Sequence, residues 1–153
     1  ICDSTGSINN NFLGDVKVEA KFANEAGNYS QWTPSTGSNY QCVDDTAPND
    51  DTDYIITSGE GYKDSYTFQD LTTTSGTIFG IQVLLSDRKD DAGTRTVRPF
   101  LRIDSTDYPG SGINLGDSYA YSNLDIWETN PNTSAAWTIS GINNLEAGAE
   151  LVA

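Results

Sequence analysis

Carboxylates are the reactive groups this chain has most of: 22 Asp and Glu face 8 Lys and Arg, for a formal charge of −14, and histidine is absent. Without imidazole the commonest general base, proton shuttle and metal ligand is missing, so Ser-His-Asp and Cys-His nucleophiles are excluded. Paired carboxylates remain as acid and base. Two of them about 5–9 Å apart across a sugar groove would suit glycoside hydrolysis, and Glu60, Asp125 and Glu128 are the places to look. Chance proximity is expected among so many acids, so the chain reads as a non-enzyme without a cofactor.

The acidic loop Asp44-Asp45-Thr46-Ala47-Pro48-Asn49-Asp50-Asp51-Thr52-Asp53 concentrates oxygen donors. Asp44, Asp45, Asp50, Asp51 and Asp53 form a weak calcium candidate. The spacing does not match an EF-hand and Pro48 interrupts it, so a solvated loop is the plainer reading. Cys2 and Cys42 are the only cysteines. An oxidised pair would close a 41-residue loop, stabilising the fold by roughly 4 kcal/mol on the chain-entropy model. Two unpaired thiols are the alternative. Tyr29, Trp32, Tyr108 and Trp127 lie in stretches read as loops or strand ends, where aromatic rings either cover the core or stack on a glycan.

These groups must be positioned by strands. Ile78–Leu85 is almost wholly apolar, too short to cross a membrane, and reads as a buried central strand. The polar run to Arg95 holds Gly93, and Thr96–Ile103 then alternates, with Val97, Leu101 and Ile103 on one face. A β-hairpin is expected between the two arms. Val16–Phe22 alternates most cleanly, Val16, Val18, Ala20 and Phe22 against Lys17, Glu19 and Lys21, and is expected to be a half-buried edge strand. Asn24–Ser38 reads as a long loop, Tyr54–Thr57 and Ser65–Phe68 as short strands, Asp104–Asp117 as turns, and Ser118–Glu128 as a strand. Ile139, Ile142 and Leu145 fall at helical spacing, with Thr138 or Ser140 as the cap and Gly148 as the stop. Ala149–Ala153 reads as a last strand.

A chain of 153 residues suits one domain. The expected division is an N-terminal arm over 1–14 and a single β-sandwich over 15–153. The fold class is all-β, an antiparallel, jelly-roll-like sandwich with one short helical turn near the C-terminus. The negative charge argues against nucleic acid and anionic membranes as partners, and no spanning run is present. With no methionine and no apolar leader, the chain is expected to be a processed product or a segment of something longer.

The pieces GSINNNFLGDVKVE, QWTPSTGSNY, RKDDAGTR, TDYPG, IWETNPNTSAAWT and INNLEAG, in that order, resemble a family of uncharacterised structural proteins of tailed bacteriophages and their bacterial hosts. The resemblance implies an extracellular or virion-surface β-sandwich, and it brings no catalytic residue with it. The function expected is that of a structural subunit assembling with copies of itself into a fibre or multimer. The joint would use strand edges and the arm: Ile1, Ile8, Phe12, Leu13, Val16, Val18 and Phe22. A carbohydrate-binding module gripping a surface glycan with the four aromatics is the alternative.

Overall fold

The all-β expectation holds: the computed structural model, which describes residues 8–122 and 125–153, is built mostly of antiparallel sheets in a sandwich-like arrangement, with one short helix near the C-terminus. Within its main sheet β6 (Thr96–Ile103) keeps the alternation read from the sequence, with Val97, Leu101 and Ile103 buried on one side. Its partner is different. Instead of forming a hairpin with Ile78–Leu85, β6 pairs with β10 (Glu146–Leu151), in a register that sets Glu150 opposite Arg98 and Glu146 opposite Arg102. On the other side of β10 lies β4 (Lys63–Phe68), and beyond it β1 (Ala23–Ser30). The outer side of β6 is covered by β7 (Thr106–Pro109) and β8 (Ile113–Asn114).

Proline inside such a central strand normally removes a ladder hydrogen bond. Pro99 falls where the outer partner of β6 changes from β8, opposite Thr96 and Val97, to β7, opposite Phe100–Ile103. Its carbonyl accepts Gly110 N–H there (2.8 Å), so its missing N–H lies on the same side, at a break, and nothing is lost toward β10. β6 and β7 are joined by Asp104 and Ser105, both at positive φ (48° and 66°), as a two-residue hairpin turn requires. A hairpin therefore occupies part of the stretch expected to be turns alone.

The second layer is more fragmentary. β5 (Leu85–Asp87) pairs with β9 (Ala120–Ser122), and single bridges join Ile78 to Trp137 and Ile81 to Trp127. Ile78–Leu85 is thus a half-buried run beside the core rather than a central strand, and among the described residues of the expected strand Ser118–Glu128 only Ala120–Ser122 and, by a single bridge, Trp127 pair. Ile78, Ile81, Val83 and Trp127 pack on Leu101, Ile103, Trp137, Leu145 and Ala147. The short pair β2 (Thr33–Pro34) and β3 (Ile55–Ile56) stands apart, and Asn39–Cys42 forms a 3-10 turn.

The helix α1 (Ile139–Asn143) forms where the spacing placed it, with Thr138 Oγ1 accepting Gly141 N–H (3.0 Å). Asn144 rather than Gly148 ends it. Gly148 lies inside β10, where an added Cβ would overlap the Asp64 carbonyl oxygen, so only glycine permits that approach of β10 to β4.

Two further corrections concern the N-terminal half. β1 forms in Ala23–Ser30, which reads as loop because it has little apolar content; its pairing to β4 is what makes it a strand. Val16–Phe22 is not a strand. Among the described residues it makes no backbone–backbone hydrogen bond.

Candidate functional site

The segment before β1 is held to the body by its charged side. Glu19 accepts Thr72 N–H (2.6 Å), Thr73 N–H (3.3 Å) and the Thr73 hydroxyl (2.9 Å). Lys21 pairs with Glu19 (2.9 Å) and donates to the Asp70 carbonyl. Lys21 first, and then the Thr72 amide, hold the Glu19 carboxyl far below the usual carboxylate range. Lys17 is less engaged, at 3.4 Å from Thr73 Oγ1 and 3.8 Å from Glu19.

With the charged side turned inward, the apolar side faces water, the reverse of the expected half-buried strand. Phe12 is 88% exposed, Val16 51%, Val18 89% and Phe22 37%. Ile8 is exposed as well, Leu13 is half-buried, and Ala20 is exposed between half-buried Glu19 and Lys21. From Val18 to Ala23 in and out alternate with the two-residue period of an extended chain, while Asp15 and Lys17 are exposed along with Val16. The strip borders an open hollow of about 2250 Å³ that reaches the apolar face of the sheet at Tyr66, Val97 and Leu101. Small-molecule pockets usually measure about 300–1,000 Å³, so this gap is too wide to enclose such a ligand. Ile1, the remaining residue expected at the joint, lies outside the described residues.

The opposite face of the sheet is polar and internally paired. Asp107 on β7 accepts from Lys63 Nζ (2.8 Å), Arg102 (2.6 Å) and the Tyr29 hydroxyl (2.9 Å). Burial alone would raise its carboxyl; Lys63, Arg102 and Tyr29 outweigh that and hold it below its ordinary value. The same carboxylate is the main reason the Tyr29 hydroxyl is raised. Tyr29 lies under Arg102 and Lys63 and meets the buried Phe100 edge-on at 5.9 Å. Glu150 takes a forked contact from Arg98 (3.0 and 3.2 Å) across the strand pair, and Glu146 accepts Ser65 Oγ (2.6 Å) and Asn28 N–H (2.8 Å). This network ties five strands together; Lys63, Arg98 and Arg102 pair with Asp107 and Glu150, while Glu146 is held by the neutral donors Ser65 and Asn28.

On the core side, Asp64 is fully buried. It accepts Asn39 Nδ2 (2.6 Å), the Tyr66 hydroxyl (2.7 Å) and Trp32 N–H (3.1 Å), fastening β4 to the chain that follows β1. Burial first, and then Asp64, push the Tyr66 hydroxyl well above its ordinary range.

The other residues singled out in the sequence are scattered. Asp45 and Asp53 both accept from Asn49 Nδ2 (2.6 Å each), Asp51 pairs with Arg88 (2.9 Å), and Asp50 sits at positive φ. Among the described residues no three acidic or sulfur ligands converge, so the loop does not gather Asp44, Asp45, Asp50, Asp51 and Asp53 into a calcium cage. The four aromatics do not share a rim. Tyr29 is on the polar face, while Tyr108 and Trp127 pack against the core on the other, and Trp32 donates its ring N–H to the Tyr62 carbonyl (3.1 Å). Asp125 is engaged by Ser111. Cys42 is buried as a free thiol directed at the Thr36 carbonyl (3.0 Å); Cys2 lies outside the described residues.

No helix among the described residues is long and apolar enough to cross a membrane. No family model, curated protein or solved structure matches the chain.

Proposed function

We propose that this chain is a non-enzymatic structural subunit that joins copies of itself through residues 8–22, within an extracellular or virion-surface assembly. The observation that carries this reading is the apolar strip Phe12, Val16, Val18 and Phe22, turned to water while Glu19 and Lys21 fasten the segment from behind. An exposed apolar row on a backbone without sheet partners invites strand addition. The setting rests on the resemblance of the sequence to phage and host structural proteins. The carbohydrate-binding alternative has no comparable carrier, because its four aromatics lie on different faces.

The test replaces Val16 and Val18 with serine and measures mass by light scattering, with electron microscopy of the same material. The parent protein is expected to exceed 16.5 kDa, and the double variant to fall to that mass with an unchanged melt, since both side chains are exposed. A parent that stays at 16.5 kDa throughout, or a double variant that assembles like it, overturns the reading.

A further inference from the structure

We propose that the joint is two-fold: residues 14–22 of one copy pair antiparallel with residues 14–22 of a second, with Val18 facing Val18 on the axis. This rests on the self-assembly reading and specifies its partner and its symmetry.

Charge selects the partner. The 8–22 segment carries Asp15 and Glu19 against Lys17 and Lys21 and is neutral, whereas residues 23–153 hold nineteen acidic side chains against six basic ones. Two copies repel over most of their surface, and the neutral segment is where that repulsion is weakest.

Charge also selects the register. Along the segment the signs alternate, Asp15, Lys17, Glu19, Lys21. With Val18 opposite Val18, Asp15 faces Lys21, Lys17 faces Glu19, and Val16 faces Ala20, each pair occurring twice by symmetry. Opposite charges directly across a strand pair stabilise it and like charges oppose it. Sliding two residues either way sets Lys17 against Lys17, or Lys17 against Lys21 with Glu19 against Glu19. Sliding by one residue places apolar side chains opposite charged ones. A parallel arrangement in register would oppose every like charge. Among these alternatives the antiparallel pairing centred on Val18 satisfies all four charges.

The structure leaves room for this contact. Among the described residues the segment's backbone has no backbone partner, Val18 is 89% exposed, and the Lys17 side chain is 70% exposed with only long contacts. The pairing is isologous, so it closes at two copies and does not propagate. A filament would then need a second, different joint. A ribbon of nine residues a side is shorter than the roughly 20–30 residues a side of a standard stable interface, so a weak, concentration-dependent dimer is expected.

The experiment combines sedimentation equilibrium from 1 to 500 µM with cysteine cross-linking in a Cys2→Ser background, where Cys42 is buried. The expected mass rises from 16.5 kDa to about twice that and stops. Val18→Cys should cross-link to itself under mild oxidation, because directly opposed residues lie within the Cα range of a disulfide. Val16→Cys alone should not, its twin being four residues away, roughly 14 Å; mixed with Ala20→Cys it should. Lys17→Glu should weaken the dimer at least tenfold with no change in melt. Mass growing beyond the dimer, Val18→Cys failing to cross-link in an assembling protein, or Lys17→Glu without effect would overturn the two-fold register while leaving self-assembly standing. A monomer at every concentration would overturn both.

Discussion

Removing the Asp64 carboxylate should unfasten the core side of the sheet. In Asp64→Ala, three donors lose this acceptor together: the buried Tyr66 hydroxyl, the part-buried Trp32 N–H, and the buried Asn39 amide, which keeps only the Trp32 carbonyl (2.8 Å). A hydrogen bond to a charged acceptor contributes about 1.5–3 kcal/mol net, and each orphaned buried donor costs about 1–3 kcal/mol. The three share one acceptor and are not additive, so the expected loss is about 3–5 kcal/mol, the range for breaking a buried charged contact. For a chain of this size that lowers Tm by roughly 6–20 °C, at about 2–4 °C per kcal/mol. Asp64→Asn keeps one acceptor oxygen; set toward Trp32 N–H, its NH2 then confronts the Asn39 amide, and roughly half the loss is expected. Asp90→Asn, on the exposed loop before β6, is the control and should stay within about 0.5 kcal/mol. Urea unfolding followed by tryptophan fluorescence reads all three. A loss below 1 kcal/mol in Asp64→Ala, or a larger loss in Asp64→Asn, would refute this account of the buried carboxylate.

Gly148→Ala should prevent β10 from seating on β4, because the new methyl would overlap the Asp64 carbonyl oxygen; little soluble folded protein is expected, and a cooperative melt near the parent's would contradict it. The Glu19 contact should be acid-resistant. A depressed carboxyl pKa gives stability that is complete above the ordinary Glu range and is lost only as pH falls through the lower folded value. Protection of the Thr72 and Thr73 amides against hydrogen exchange, relative to their intrinsic rates, should therefore be unchanged down to pH 4 and fall only well below it, whereas Glu19→Gln should lack it at both.

What the sequence made legible was periodicity, and what it concealed was pairing. Alternation in Thr96–Ile103 located β6 and its faces correctly, and Thr138 with Ile139 and Ile142 located the helix. Periodicity says which side chains share a face and nothing about which strand lies alongside, so the neighbouring apolar run Ile78–Leu85 reads as the natural partner, whereas the actual one, β10, begins 43 residues beyond the end of β6. Val16–Phe22 shows the opposite failure. Its alternation is real, but Glu19 and Lys21 found partners on residues 70–73 and turned the apolar side out. β1 was hidden because its strand state comes from β4 rather than from its own residues, and Gly27 leaves the space that Glu146 and Ser65 occupy. Asp64 did leave a signal: alternation along Lys63–Phe68 places a carboxylate on the same face as Tyr66 and Phe68, a charged residue among aromatics that has to be satisfied from elsewhere.

The polar face of the sheet also has a colloidal consequence. Lys63, Arg98 and Arg102 cancel Asp107, Glu146 and Glu150 within that face, and the 8–22 segment is likewise neutral, so the remaining residues of 23–153 set sixteen carboxylates against Arg88, Lys89 and Arg95. The particle is electrically patchy, with two nearly neutral surfaces and an acidic remainder. At low ionic strength neighbours are kept apart in most orientations and approach only through the neutral surfaces. Salt shortens the reach of the acidic parts to about 10 Å at 0.1 M and so relaxes the orientational selection, letting crowded molecules meet in geometries that dilute buffer forbids.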